Sequence, residues 1–131
     1  MKIDIHTHIL PNKLPNLQER YGCPGWINIR TSENEPGVAN MYKDEVFFRR
    51  IEKNCWCTEE RRHEMTSTGV SAQVLSTVPV MFNYAAKPEH TSDLARLLND
   101  DIAERCRETN TKEGEQKAFY GFGTVPMQDP Q

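Results

Sequence analysis

The chain has 131 residues, 37% hydrophobic and 27% charged, with a formal net charge of −3. That length suits one modest domain with a single core. The acid excess and the lack of a basic stripe argue against nucleic acid as a partner. No run approaches the ~18 apolar residues of a membrane span, and no secretory apolar segment opens the chain, so neither membrane nor secretion is expected, and the cytosol is the expected compartment. The four cysteines, Cys23, Cys55, Cys57 and Cys106, match no zinc-finger or Cys-x-x-Cys spacing. Reduced thiols are expected.

The first predicted element is a strand over residues 2–8, Lys2-Ile3-Asp4-Ile5-His6-Thr7-His8. Side chains alternate along a strand, so Asp4, His6 and His8 are expected on one face, with Ile3, Ile5 and Thr7 forming a buried back. Two imidazoles one residue apart can grip one divalent ion such as Zn²⁺. The spacing alone also fits two polar residues ending a strand.

Residues 11–24 read as loop, punctuated by Pro11, Pro15, Gly22 and Pro24. Residues 26–30 alternate as a short strand. After a polar stretch with a Pro36-Gly37 turn, residues 38–42 and 46–51 flank Lys43-Asp44-Glu45 as a hairpin. A helix is predicted from Thr58, the expected cap, through the acids Glu59 and Glu60 to Thr68, stopping at Gly69. Residues 71–78 form a buried strand that Pro79 ends. A second helix begins at Thr91, with Leu94, Leu98 and Ile102 as its apolar stripe, widened by Leu97 and Cys106. Residues 110–117 are expected to be exposed, and 118–125 form a third main strand. Strands alternating with helices imply an α/β fold with a parallel sheet. A closed barrel of eight such units needs roughly 250 residues, more than are present.

Several blocks carry a family resemblance. They are the opening Met1-Lys2-Ile3-Asp4-Ile5-His6-Thr7-His8, Val46-Phe47-Phe48-Arg49, and Glu52-Lys53-Asn54-Cys55-Trp56. They continue in Val74-Leu75-Ser76-Thr77-Val78-Pro79-Val80-Met81-Phe82 and Gly121-Phe122-Gly123-Thr124-Val125-Pro126-Met127-Gln128. Together they resemble the 2-amino-3-carboxymuconate-6-semialdehyde decarboxylase family of the metal-dependent amidohydrolase superfamily. The likeness implies a partial (β/α)₈ barrel, its first strands and helices only, with residues 1–131 as the N-terminal part. It also implies a small antiparallel insertion at about 26–51, after strand one.

The resemblance implies one divalent ion, usually zinc, with His6 and His8 as its first two ligands. The further ligands and an active-site histidine would lie beyond Gln131. No complete catalytic set is therefore expected within the chain, which reads as truncated and inactive alone. Arg49 matches a substrate-binding arginine, with Lys43 and Phe48 lining the same pocket. A planar guanidinium clamps a carboxylate through two hydrogen bonds, although a hairpin arginine is otherwise an ordinary solvated charge. Arg50 should face the opposite way. Met81 and Phe82 are expected near the pocket, Trp26 and Trp56 as packing anchors, and His63 and His90 as exposed helix residues.

The implied reaction is the non-oxidative decarboxylation of a small dicarboxylate, 2-amino-3-carboxymuconate 6-semialdehyde, to 2-aminomuconate 6-semialdehyde. This step of tryptophan catabolism by the kynurenine route limits quinolinate, and hence NAD, formation. A homodimer is implied for the full-length form. Two alternatives stay open: a non-catalytic fragment that partners a full-length subunit, and another hydrolase of the superfamily.

Overall fold

The computed structural model describes residues 1–110 and 117–130. In chain order the elements are β1 (Ile3–Ile9), α1 (Leu17–Tyr21), β2 (Ile27–Thr31), β3 (Val38–Lys43), β4 (Val46–Glu52), α2 (Thr58–Thr68), β5 (Ala72–Thr77), α3 (Pro88–Thr109) and β6 (Phe119–Gly121). Two 3-10 turns, Lys53–Cys55 and Pro79–Met81, lead out of β4 and β5. The strands form two sheets. One is parallel in the order β1-β5-β6, and the other is antiparallel in the order β2-β3-β4. The architecture is the expected α/β one, with an antiparallel unit following the first strand.

The parallel sheet packs one face against α2 and α3. Ile9, Leu75 and Phe119 from the strands meet Met65 and Ile102 from the helices, and Leu75 is fully excluded from solvent. A second core joins the antiparallel sheet to α1 and α3 through Met41, Ile51, Leu17, Trp26, Leu94 and Leu98. Trp26 is the packing anchor expected of it.

Of the buried back expected for β1, Ile3, Ile5 and Thr7, only Thr7 is buried. Ile9 is buried as well, but Ile3 is 46% exposed and Ile5 72% exposed. The cause is a bulge. Asp4 lies beside Gln73 and Thr7 beside Leu75, so three steps on β1 match two on β5. One extra residue reverses the alternation. Asp4 therefore shares the face of Thr7, while His8, beside Ser76, takes the other. The Asp4 carboxylate turns back to accept from the His6 amide at 3.2 Å, which stabilises the irregularity.

Three other elements differ from the reading of the sequence. A short helix, α1, interrupts the expected loop. Asn16 Oδ1 accepts from the Glu19 amide, and Gly22 ends the helix at φ 67°. Cys57, not Thr58, holds the cap position of α2; its thiol donates to Glu59 Oε2, and Thr58 is buried. The second long helix starts at Pro88 rather than Thr91, because proline is suited to a first helical position. Gly69 ends α2 at φ 68°, as expected.

The third parallel strand is short. Beyond Gly121 the Asn99 amide replaces a ladder partner, accepting from Thr124 N and donating to Thr124 O at 2.7 and 2.9 Å. Of the segment expected to be exposed, residues 111–116 lie outside the described residues. Asn110 is half-buried and donates to Phe119 O at 2.7 Å.

Candidate active-site cleft

His8 sits near the carboxyl end of β1, half-buried and firmly oriented. Its Nδ1 lies 3.1 Å from Thr77 O and 3.0 Å from Ser76 Oγ. A carbonyl can only accept, and the Ser76 hydroxyl already donates to Thr7 O at 2.8 Å. Both partners therefore require a proton on Nδ1, which leaves the Nε2 lone pair for a ligand. His6 is exposed, with its ring edge-on to His8 and centroids 5.2 Å apart.

His8 and Arg49 line one cleft of about 590 Å³. Its other walls include Leu10, Met41, Phe48 and Val80, so a few polar groups stand on a largely apolar surface. Sequence alternation alone does not fix where Arg49 points. A second irregularity, between Met41 and Tyr42, pairs Arg49 with Met41 and Tyr42 with Phe47, skipping Phe48. Arg49 and Ile51 thus share the inward face of Met41 and Ala39. Arg50 lies across from Asn40 on the other face of the strand, where Glu35 and Glu52 bind its guanidinium at 2.9 and 3.1 Å, yet contrary to expectation Arg50 and Glu52 also reach the rim of the same cleft. Those carboxylates raise its pKa above the ordinary arginine value. Arg49 makes no hydrogen bond or ion pair among the described residues.

The remaining expected site residues divide. Phe48 lines the cleft. Lys43 does not: it ends β3 beside the Asp44-Glu45 turn, paired to Ile27 and Val46 at the hairpin tip. Met81 is buried in the core and Phe82 stacks on Tyr84, so Val78 and Val80 take the places expected of them in the wall. His63 is exposed on α2. His90 is not exposed; it stacks on Tyr21 at 4.9 Å, with Cys23 Sγ 4.0 Å from its Nδ1. The cysteines are free thiols, and Cys55 also lines the cleft.

Sequence reasoning missed Ser76 and Thr77 as supports of His8, and missed Arg61. Their signal is weak, since a serine in a strand or an arginine on a helix has no distinguishing pattern. Whether a divalent ion fits can be judged from the donors. A neutral imidazole buttressed at Nδ1 and open at Nε2 is the ligating form, so His8 fits, with His6 beside it. No group of three His, Cys, Asp or Glu side chains stands together for a metal among the described residues. His6 and His8 are thus two candidate donors standing side by side.

Comparison with known proteins bears on what the cleft is for. No family model matches the chain. It is 47% identical over 128 residues to a 2-amino-3-carboxymuconate-6-semialdehyde decarboxylase of Dictyostelium discoideum, a match covering 98% of the chain and 33% of that protein. With the same-named protein of Caenorhabditis elegans it shares 42% over 130 residues, 99% of the chain and 30% of the relative. Over nearly its whole length, the chain is similar to part of the 2-amino-3-carboxymuconate-6-semialdehyde decarboxylases. A decarboxylase of that name from Sus scrofa matches 53 residues at 43% identity, 40% of the chain and 37% of the relative.

The chain spans about a third of the length of these decarboxylases. Among solved structures it resembles apo IDCase of Metarhizium anisopliae, with a TM-score of 0.66 and 17% identity over 98% of the chain and 36% of that protein. That likeness is one of fold. No helix among the described residues is long and apolar enough to cross a membrane.

Proposed function

We propose that this chain supplies the opening part of a metal-dependent decarboxylase site: His6 and His8 as the first two ligands of a divalent ion, and Arg49 as the clamp for a substrate carboxylate. The observation that carries this reading is the shared cleft, in which an oriented imidazole and an uncommitted guanidinium stand over one apolar floor. The substrate class is a small unsaturated dicarboxylate, 2-amino-3-carboxymuconate 6-semialdehyde by kinship, with loss of carbon dioxide as the reaction. Zinc is the proposed ion, and the kynurenine route of tryptophan breakdown is the proposed setting, in the cytosol.

A divalent ion held by the two histidines would supply Lewis acidity beside the substrate. The chain's own residues do the rest of the work assigned here. Arg49 offers parallel donors that fix one carboxylate and balance its charge. Leu10, Met41 and Val80 keep water from the conjugated body of the ligand. Thr77 and Ser76 hold the His8 proton on Nδ1, away from the cleft.

Catalytic zinc sites use about three protein ligands and an open position. Two imidazoles fall short of that, so we propose that the 131-residue chain binds zinc weakly and turns over only with further donors. The test is equilibrium dialysis of the chain against Zn²⁺, alongside a decarboxylase assay with and without a full-length relative. Zinc binding lost in both His6→Asn and His8→Asn supports the reading. Zinc binding that ignores both substitutions sinks it.

A further inference from the structure

The guanidinium of Arg61 is the group the proposed site leaves unused. It extends from α2 to the rear of β1 and is drawn below its ordinary pKa, chiefly by burial. Every hydrogen-bond partner it has among the described residues is neutral. Nε donates to Asn54 O at 2.6 Å and Nη1 to Thr7 Oγ1 at 2.8 Å, with Gln73 Oε1 at 3.4 Å; Nη2 donates to His8 O. It makes no ion pair among the described residues.

Arg105 on α3 provides an internal contrast. It too is buried and donates to a main-chain carbonyl, Trp56 O, but Asp101 lies 2.6 Å away and neutralises it. Glu64 and Asp4 act on Arg61 only through space, without an ion pair, and a partly buried cation held this way is costly, so the oxygens it binds must explain its place. Those oxygens belong to two walls of the cleft. Thr7 and His8 lie on the histidine strand. Asn54 lies in the turn directly after the Arg49 strand and itself lines the cleft. The two walls are joined once more, by Leu10 N donating to Cys55 O at 2.8 Å.

We propose that Arg61 is a positioning residue for His8: by holding His8 O and Asn54 O on one planar fork, it sets the imidazole of β1 against the wall that carries Arg49. The proposal rests on the reading that His8 faces a ligand. Only a fork with several fixed donors can hold both carbonyls and the Thr7 hydroxyl together, a geometry a lysine cannot reproduce.

The experiment uses the 131-residue chain with ¹⁵N-labelled histidine. The ring nitrogens of His8 report its tautomer and mobility without any metal. In the wild type a single Nδ1–H form is expected. In Arg61→Gln the His8 signals should move toward tautomer averaging while the other histidines hold. Zn²⁺ affinity, measured separately, should fall by about 10-fold or more, the scale of lost outer-shell support.

Arg61→Lys should restore stability more than it restores the His8 signals, and it answers the question if Arg61→Gln does not fold. Leu98→Val serves as a stability control remote from the fork. Unchanged His8 signals in both Arg61 variants would overturn the proposal, as would an equal shift in Leu98→Val. A wild-type chain that binds no zinc would instead count against the metal reading, leaving the histidine signals to decide the role of Arg61.

Discussion

The two sheets meet at one cleft but treat their functional side chains in opposite ways. On the parallel side His8 is held at its ring by Thr77 and Ser76 and at its carbonyl by Arg61. On the antiparallel side Arg49 has no hydrogen-bond or ion-pair partner among the described residues, and its neighbours Val46, Phe47 and Phe48 are 72%, 57% and 46% exposed. The difference follows the chemistry each would do. A metal ligand must present one lone pair along one direction, so its support is built in beforehand. A carboxylate clamp must keep its donors free until the ligand brings the acceptor.

The largest test of this contrast is aimed at the base of the rigid side. Phe119 is 1% exposed between β5 and α3, and Phe119→Ala should cost about 3–5 kcal/mol in urea denaturation. Gly121→Ala is next. A Cβ there would come within 2.5 Å of Ile102 Cγ2, so about 1–3 kcal/mol should be lost as β6 is pushed off α3. Ser76→Ala removes a hydroxyl that bridges His8 and Thr7 O; a loss of about 1 kcal/mol is expected, with weaker Zn²⁺ binding.

On the open side, Arg49→Met should leave stability within about 0.5 kcal/mol yet abolish saturable binding of a small dicarboxylate, read by calorimetry with a full-length relative carrying the change. A measurable stability loss in this variant would break the contrast.

The smallest effect is one of pH. Arg20 and Tyr21 bind the Asp93 carboxylate at 2.7 and 2.8 Å and hold its pKa below the ordinary carboxylate value. A depressed pKa stabilises the fold above the unfolded value, and that contribution disappears as pH falls through the folded value. Asp93→Asn should flatten this part of the acid limb in urea midpoints measured across the carboxylate range.

The sequence announced the elements better than their edges. The run ending at Gly69, and the Leu94, Leu98 and Ile102 stripe, were legible because capping and periodicity are local properties. The helix at Leu17–Tyr21 was hidden by flanking prolines, although Asn16 and Gly22 bracket it. Both bulges were illegible, since alternation in a single strand says nothing about how its partner counts. His8, Arg49 and Phe48 could be read as cleft residues only through family likeness. Arg61 could not be read at all: its role depends on carbonyls 53 and 7 residues away.

The bulge in β1 also bears on transplanting the motif. Copying His6-Thr7-His8 into a straight strand of another protein would carry two imidazoles without the means to aim them. The smallest portable unit runs from Asp4, whose carboxylate secures the kink, to His8, together with Ser76 and Thr77 from the facing strand. Any designer of a two-histidine grip would have to graft the irregularity along with the ligands.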